Sequence, residues 1–368
     1  MTQYLPPARV MLTSLALAAM AVATTAVPAH ATSHTRAQQP AAKKATKPAV
    51  RSATKLAPEA AQASDAAQAA QPSQKARTAA ALATATSPDN ACADARPFYW
   101  EIGDGQRALA QGSVSVPGSK ERVTINTPML WASASKWVYG AYVAEKRAGK
   151  PNAADVQFLT MRSGFGNLGL CRKDQTVDSC LAEGGGHTYS ADLDGRFAYN
   201  GAHMQVHASM NGLGPMGTTG LTAELRAALG KDVALGFTQP LLSGGGAGTP
   251  ATYARFLRKM IVGELAMGRL LGKFAVCASP EQCGFQQAVA SPSPEDEKMH
   301  YSLGHWVEDD PVVGDGAFSS GGALGFYPWI DADKRFYGVV ARQAERGGPV
   351  SRQCGRLIRA AWADGLAR

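Results

Sequence analysis

Hydrophobic positions are spread unevenly along the chain. Residues 10–27, VMLTSLALAAMAVATTAV, form one apolar run rich in alanine. From 32 to 90 Ala, Pro, Gln, Thr and Lys dominate, and no Phe, Trp or Tyr occurs. Such a stretch buries too little apolar surface to offset its ordering entropy, which predicts a disordered linker. Order is expected from Cys92 onward. FYWEIGD and GSVSVPG read as two short strands around a turn at GDGQ. The period then changes in TPMLWASASKWVYGAYVAEKRAG, where Trp137, Val138, Tyr139, Ala141 and Tyr142 predict a buried helix ending near Gly149. Residues 151–300 are glycine-rich, with helices clearest in TGLTAELRAALG and TPATYARFLRKMIVGELAMGRLLG. Strand signals return in MHYSLGHWVED, GALGFYPWID and RFYGVVARQ, and SRQCGRLIRAAWADGLA reads as a closing helix. Strands at both ends and helices between them predict an α/β (α+β) fold. Its antiparallel sheet is built from N- and C-terminal segments flanked by helices, with a mostly helical subdomain inserted.

Charge refines this picture. The formal charge is +8 over 368 residues. Residues 32–90 carry eight Lys or Arg against three Asp or Glu, so the folded part is close to neutral. No basic domain face argues for nucleic acid. Arg9 before the apolar run and AHA at 29–31 after it form the export pattern, with an uncleaved anchor helix as the alternative. The expected organisation is a signal peptide over 1–31, a linker over 32–90 and one domain over 91–368, in the periplasm or secreted, with no membrane span once the signal is removed. Six cysteines then remain, an even number that favours disulfides in an exported protein. Local spacing pairs Cys171 with Cys180 and Cys277 with Cys283, which leaves Cys92 for Cys354. No C-x-x-C and no paired Cys/His cluster indicates a metal site, and no cofactor is indicated.

Candidate chemistry centres on Ser133 and Lys136 in WASASKWVYG. A serine hydroxyl needs a nearby base to act as a nucleophile. On a helix, residues three apart share a face, so Lys136 reaches Ser133. The helix start supplies unpaired N–H groups and a dipole that favours negative charge. Ser52 and Lys55 repeat the spacing in SATK, but inside the predicted linker, where no rigid shell supports a catalytic pair.

From about 96 to 345 the chain resembles the serine β-lactamase and penicillin-binding-protein superfamily, and within it the class C-like serine hydrolases. Ser133-Ala134-Ser135-Lys136 matches its Ser-x-x-Lys. Leu159, Ser163 and Gly164 in VQFLTMRSGFG resemble its Leu-Leu-x-x-x-Ser-Gly segment. Tyr199 in RFAYNGAHMQV falls on its Tyr-x-Asn element, with Asn200-Gly201 following where x-Asn is the pattern. GGGAGTPATYARFL, YSLGHWVE and FSSGGALGFYPWID resemble later elements. Counted back from Gly325, the family's third-motif lysine falls on Ala317, and no Lys-Thr-Gly, Lys-Ser-Gly or His-x-Gly occurs. The resemblance implies Ser133 as nucleophile, Lys136 as base and Tyr199 as proton relay. Ser133, Ser319, Ser320 and Gly321 would line the oxyanion and substrate site, with donors from Ser133 and from the strand near Ser320. In the family the third-motif cation anchors a substrate carboxylate. Its absence argues against an efficient β-lactamase and for esterase, amidase or peptidase action on less acidic substrates, small molecules or peptides, with cell-wall peptides among them.

A second reading makes the chain a silent penicillin-binding-like module that holds an envelope polymer or a partner protein. A nucleotide-binding reading of SGGGAG lacks the Lys-Ser/Thr of a P-loop. His203 and His207, four apart, are expected to pack helices or face solvent; His305 is expected at a surface strand position, and FYPWI in the sheet core.

Overall fold

The computed structural model describes residues 71–368; the expected signal peptide, the SATK copy and most of the expected linker lie outside them. The main sheet has eight strands: β1 (Phe98–Gly103), β2 (Ala108–Val114), β3 (Val276–Cys277), β4 (His300–Tyr301), β5 (Trp306–Glu308), β6 (Ala317–Ser319), β7 (Tyr327–Ile330) and β8 (Tyr337–Ala341). Their order is β2-β1-β8-β7-β6-β5-β4-β3, with every pairing antiparallel. The two N-terminal strands join the C-terminal ones through β1 and β8, where Tyr99 faces Ala341 and Gly103 faces Tyr337. The expected sheet of two chain ends is therefore the observed one.

Both faces of the sheet are covered, and the side-chain alternation of its strands shows why. Phe98, Trp100 and Ile102 of β1 point to one face, where they meet Tyr327, Trp329 and Trp362. Tyr99 points to the other, into the larger core it shares with Trp131, Trp137, Tyr253 and Tyr337. Two helices cover the first face: α1 (Gln74–Thr86) and α5 (Gly348–Asp364). Between them chain-wise lie α2 (Ser135–Lys146), α3 (Ala202–Ala208) and α4 (Pro250–Ile261), of which α4 packs against β7 and β8.

Helix α1 corrects the expected linker boundary at residue 90. Ser73 caps it by accepting from the Ala76 N–H, and it buries Ala80, Ala81, Thr84 and Ala85. Arg77 donates to the Trp362 carbonyl of α5 at 2.8 Å. Its apolar side is built from methyl groups, so composition alone reads as linker. Alanine has the highest helix propensity and lets two helices approach closely. The expected cysteine pairs are all formed: Cys92–Cys354 joins the segment after α1 to α5, Cys171–Cys180 closes one loop, and Cys277–Cys283 another.

The long expected helix after Thr249 is shorter than its pattern suggested. Thr249 caps α4 and Pro250 takes its first position, but the helix stops at Ile261, and Gly263 turns the chain at φ 77°. Within the described residues no helix is long and apolar enough to cross a membrane.

Candidate active site

Ser133 sits in a single 3-10 turn, Ala132–Ala134, that feeds directly into α2. Ala132 holds φ 46°, a left-handed conformation that costs a non-glycine residue about 1 kcal/mol. The surroundings over-determine the turn. Trp131 N–H donates to the Gly246 carbonyl at 2.9 Å, and Gly246 N–H donates to Ser135 Oγ at 3.0 Å. Tyr253 OH donates to the Ala134 carbonyl at 2.8 Å, and Ser320 Oγ to the Ser133 carbonyl at 3.3 Å. The glycine run 244–246 and Gly248 find their use here. A Cβ on Gly246 would stand 2.7 Å from Ser135 Oγ, and one on Gly248 2.5 Å from the Trp131 ring. The run is a close-approach surface for the serine turn.

Lys136 is 4 % exposed, and its Nζ donates to Ser133 Oγ at 3.0 Å and to the Ser243 carbonyl at 2.9 Å. It also stands 4.6 Å from the centroid of the Tyr199 ring. Burial lowers its pKa to about 7, so the amine is a competent base near neutrality. Tyr199 is stacked on Trp306 with centroids 5.4 Å apart. Its N–H donates to Ala290 O at 2.9 Å, and the preceding residues are bonded to Met161 and Gln287. Burial raises the Tyr199 pKa to about 12, opposed by its hydrogen bond with Ser133. The phenol therefore stays protonated near neutral pH, where a share of the lysine is neutral.

Asn200 and His203 hold Tyr199 in place. Asn200 Nδ2 donates to Ala198 O at 2.9 Å and Phe165 O at 3.2 Å, and its Oδ1 accepts from the Ala202 N–H. This amide is spent on the backbone around Tyr199. His203 is fully buried; its Nε2 bonds Ala198 O at 2.9 Å, and its Nδ1 pairs with Ser163 Oγ at 2.7 Å. Burial lowers its pKa to about 4, which keeps it neutral. His207 packs with Tyr139 and Asp155, so the two histidines turn to different partners.

The strand edge departs from expectation in three places. Ala317 is fully buried within β6 and does not line the cavity beside Ser133; Ser319, Gly321 and Gly322 do. The Ser319 hydroxyl donates to Glu308, away from any substrate, and Tyr327 OH donates to the same oxygen at 2.6 Å. Burial alone would raise the Glu308 carboxyl, but Arg359 and Arg356 hold it well below the usual range. The Ser320 N–H pairs with Pro328 O at 3.2 Å, which removes it as an oxyanion donor. The Gly321 N–H has no acceptor among the described residues. His305, expected at the surface, is fully buried, stacked on Trp137, and accepts from the Gly272 N–H at 3.1 Å.

The cavity beside Ser133 and Tyr199 measures about 280 Å³, with Pro292, Met299, Trp306 and Tyr327 in its wall. Arg346 and Arg352 also line it. Neither arginine was singled out from sequence, because neither falls in a motif; the close approach of α5 to the strand edge brings them there.

Comparison with known proteins places this fold. No protein-family profile and no curated protein matches the sequence. Solved structures do. EstCE1, described as a hydrolase with promiscuous acyltransferase activity, is similar at 10 % identity and TM-score 0.58, over 77 % of this chain and 98 % of that one. An octameric penicillin-binding protein homologue from Pyrococcus abyssi is similar at 12 % identity and TM-score 0.54, over 75 % and 76 %. Simvastatin synthase from Aspergillus terreus, as a mutant, is similar at 13 % identity and TM-score 0.50, over 79 % and 96 %. The chain has the fold of the β-lactamase and penicillin-binding-protein-like serine hydrolases.

Proposed function

We propose that this chain is an exported serine hydrolase that cleaves an ester or amide through an acyl-enzyme. The observation that carries this reading is the Lys136 amine 3.0 Å from Ser133 Oγ, with burial lowering its pKa to about 7. Neutral Lys136 takes the Ser133 proton as Oγ bonds to the substrate carbonyl carbon. The carbonyl oxygen becomes the oxyanion, held by the backbone N–H groups of Ser133 and Gly321; such a donor is worth about 3 kcal/mol of barrier. Tyr199 gives its proton to the departing oxygen or nitrogen and regains one from Lys136. The C–O or C–N bond breaks and leaves the acyl group on Ser133. Water, losing a proton to the same pair, then attacks the acyl carbon; the C–Oγ bond breaks, the acid departs, and Ser133 Oγ takes the proton back from the pair. The fully buried Cys92–Cys354 bond and two further disulfides support an oxidising compartment.

Intact-mass spectrometry of the protein treated with a fluorophosphonate, and separately with a penicillin, tests the reading. The expected result is one fluorophosphonate adduct, lost in Ser133→Ala and slowed in Lys136→Ala. Absence of any adduct on folded protein would leave a silent binding module. A stable penicillin adduct would move the substrate toward cell-wall peptides.

A further inference from the structure

Tyr199 lies in the short link between Phe197–Ala198 and α3, and the chain that holds its backbone comes from elsewhere. Residues 278–299 leave β3 and return to β4. The excursion is closed at its neck, where Ala278 N–H donates to Met299 O at 2.9 Å and Met299 N–H to Ser279 Oγ at 3.0 Å. Its far part runs along the Tyr199 segment. Ala288 and Ala290 pair in parallel with Phe197 and Ala198. Phe197 N–H donates to Gln287 O at 2.8 Å, Tyr199 N–H to Ala290 O at 2.9 Å, and Arg196 Nε to Phe285 O at 2.9 Å. The same excursion puts Pro292 and Met299 into the cavity wall. It is a strap that fixes the backbone of Tyr199 and closes part of the pocket.

Few side chains hold the strap down. Between residues 281 and 298 only Ala288 is buried, and Gln282, Phe285, Gln286 and Gln287 are exposed. A segment with so few buried apolar contacts opens locally at low cost. The Cys277–Cys283 bond opposes that opening. It ties the first turn of the strap to β3, the edge strand of the sheet. Successive turn bonds, Gly284 N–H to Pro280 O at 2.9 Å and Ala288 N–H to Gly284 O at 3.2 Å, carry the constraint on to the Tyr199 ladder. This bond is also the accessible one. Cys92, Cys354, Cys171 and Cys180 are at most 2 % exposed, whereas Cys277 and Cys283 are half-buried. Thiol–disulfide exchange needs a thiolate to reach sulfur, so exposure selects this pair.

We propose, resting on the acyl-enzyme reading, that the Cys277–Cys283 disulfide is a redox-sensitive positioning device for Tyr199. A dithiol opens it. One thiolate of the dithiol attacks a cysteine sulfur and frees the other cysteine; the second thiol then closes onto the mixed bond. Two electrons and two protons pass to the protein, which ends with two thiols, and the reagent departs as its own disulfide. The strap loosens and Tyr199 N–H loses its fixed acceptor. The ring keeps its stack on Trp306, so the phenol tilts away from its proton-transfer geometry and stays in the site.

The test treats the full chain, without denaturant, with dithiothreitol and locates the thiols by iodoacetamide and peptide mass. Cys277 and Cys283 are expected to be alkylated before the other four cysteines. Ethyl hexanoate and para-nitrophenyl hexanoate then separate position from general damage: ethoxide departs with the Tyr199 proton, and para-nitrophenoxide departs without one. After reduction kcat/KM for the ethyl ester is expected to fall about tenfold relative to the para-nitrophenyl ester. Air oxidation of an unalkylated sample should restore the ratio. The Cys277→Ser/Cys283→Ser double variant should show the lowered ratio from the start and ignore dithiothreitol. An unchanged ratio with both thiols alkylated, or earlier opening of a buried pair, overturns the proposal. If a fluorophosphonate never labels Ser133 in the oxidised protein, the acyl-enzyme reading fails by itself. In that case, or where neither ester is turned over, hydrogen exchange over residues 196–200 decides the strap: exchange about tenfold faster after reduction supports it, and unchanged exchange overturns it.

Discussion

The assignment of Lys136 as the base has a direct consequence for pH. Its amine is buried and meets Ser133 Oγ, the Ser243 carbonyl and the Tyr199 ring, with no carboxylate partner among the described residues. Burial lowers its pKa to about 7, so about one molecule in ten is active at pH 6 and about nine in ten at pH 8. Labelling of Ser133 by a neutral fluorophosphonate should therefore accelerate roughly tenfold between those values and then level off. The assay is intact mass against time at pH 5 to 9, which needs no substrate. Lys136→Ala should label slowly with no inflection in this range. A wild-type rate that is flat from pH 6 to 8, or that still climbs steeply at pH 9, would refute the assignment; a continued climb would point to Tyr199, whose pKa is raised to about 12. Stability carries the matching sign. The folded state keeps the amine neutral, so the unfolded chain binds the extra proton between about 7 and 10.5. Stability contributed by this group rises with pH across that window, and Lys136→Met should flatten the rise.

Three further outcomes follow from contacts around the site. His203→Ala should lower kcat by about tenfold with little change in KM, because Tyr199 loses its brace while the cavity is untouched; His203→Gln, which keeps a donor, should recover much of it in steady-state kinetics. Gly248→Ala places a methyl carbon 2.5 Å from the Trp131 ring, so thermal unfolding should show a loss of about 1–3 kcal/mol, and labelling of Ser133 should slow with it. Glu308→Gln leaves Arg356 and Arg359 without their shared carboxylate, and denaturant titration should register a loss of about 3–5 kcal/mol.

Much of the sheet was legible because its strands are short runs rich in aromatic and β-branched residues, as in FYWEIG and YGVVA, and both are buried along their whole length. Helix α1 was not, since QKARTAAALATAT holds its place by methyl packing and by Arg77 reaching Trp362, neither of which leaves a hydrophobic stripe. At the site, Ser133 and Lys136 share one short segment, so their spacing reveals them. Tyr199 comes from a separate motif, and the structure brings its ring to Lys136. The Ser243 carbonyl is invisible in a side-chain pattern, and Arg352 lies 219 residues beyond Ser133 in the closing helix, outside every motif. His305 misled for a related reason: a polar residue in a strand-like stretch reads as exposed, yet stacking on Trp137 and one bond from Gly272 satisfy it inside the core.

The Cys92–Cys354 bond spans 262 residues, and β1 completes the sheet only by pairing with β8. The cavity wall contributed by α5 therefore depends on contacts among the most sequence-distant in the chain, which form slowly because their loop-closure entropy is lost first. A refolding protein should pass through a stage in which Ser133 is present but its pocket is open on one side. Activity would be the last property to return, and its recovery curve would time the closing of the chain on itself.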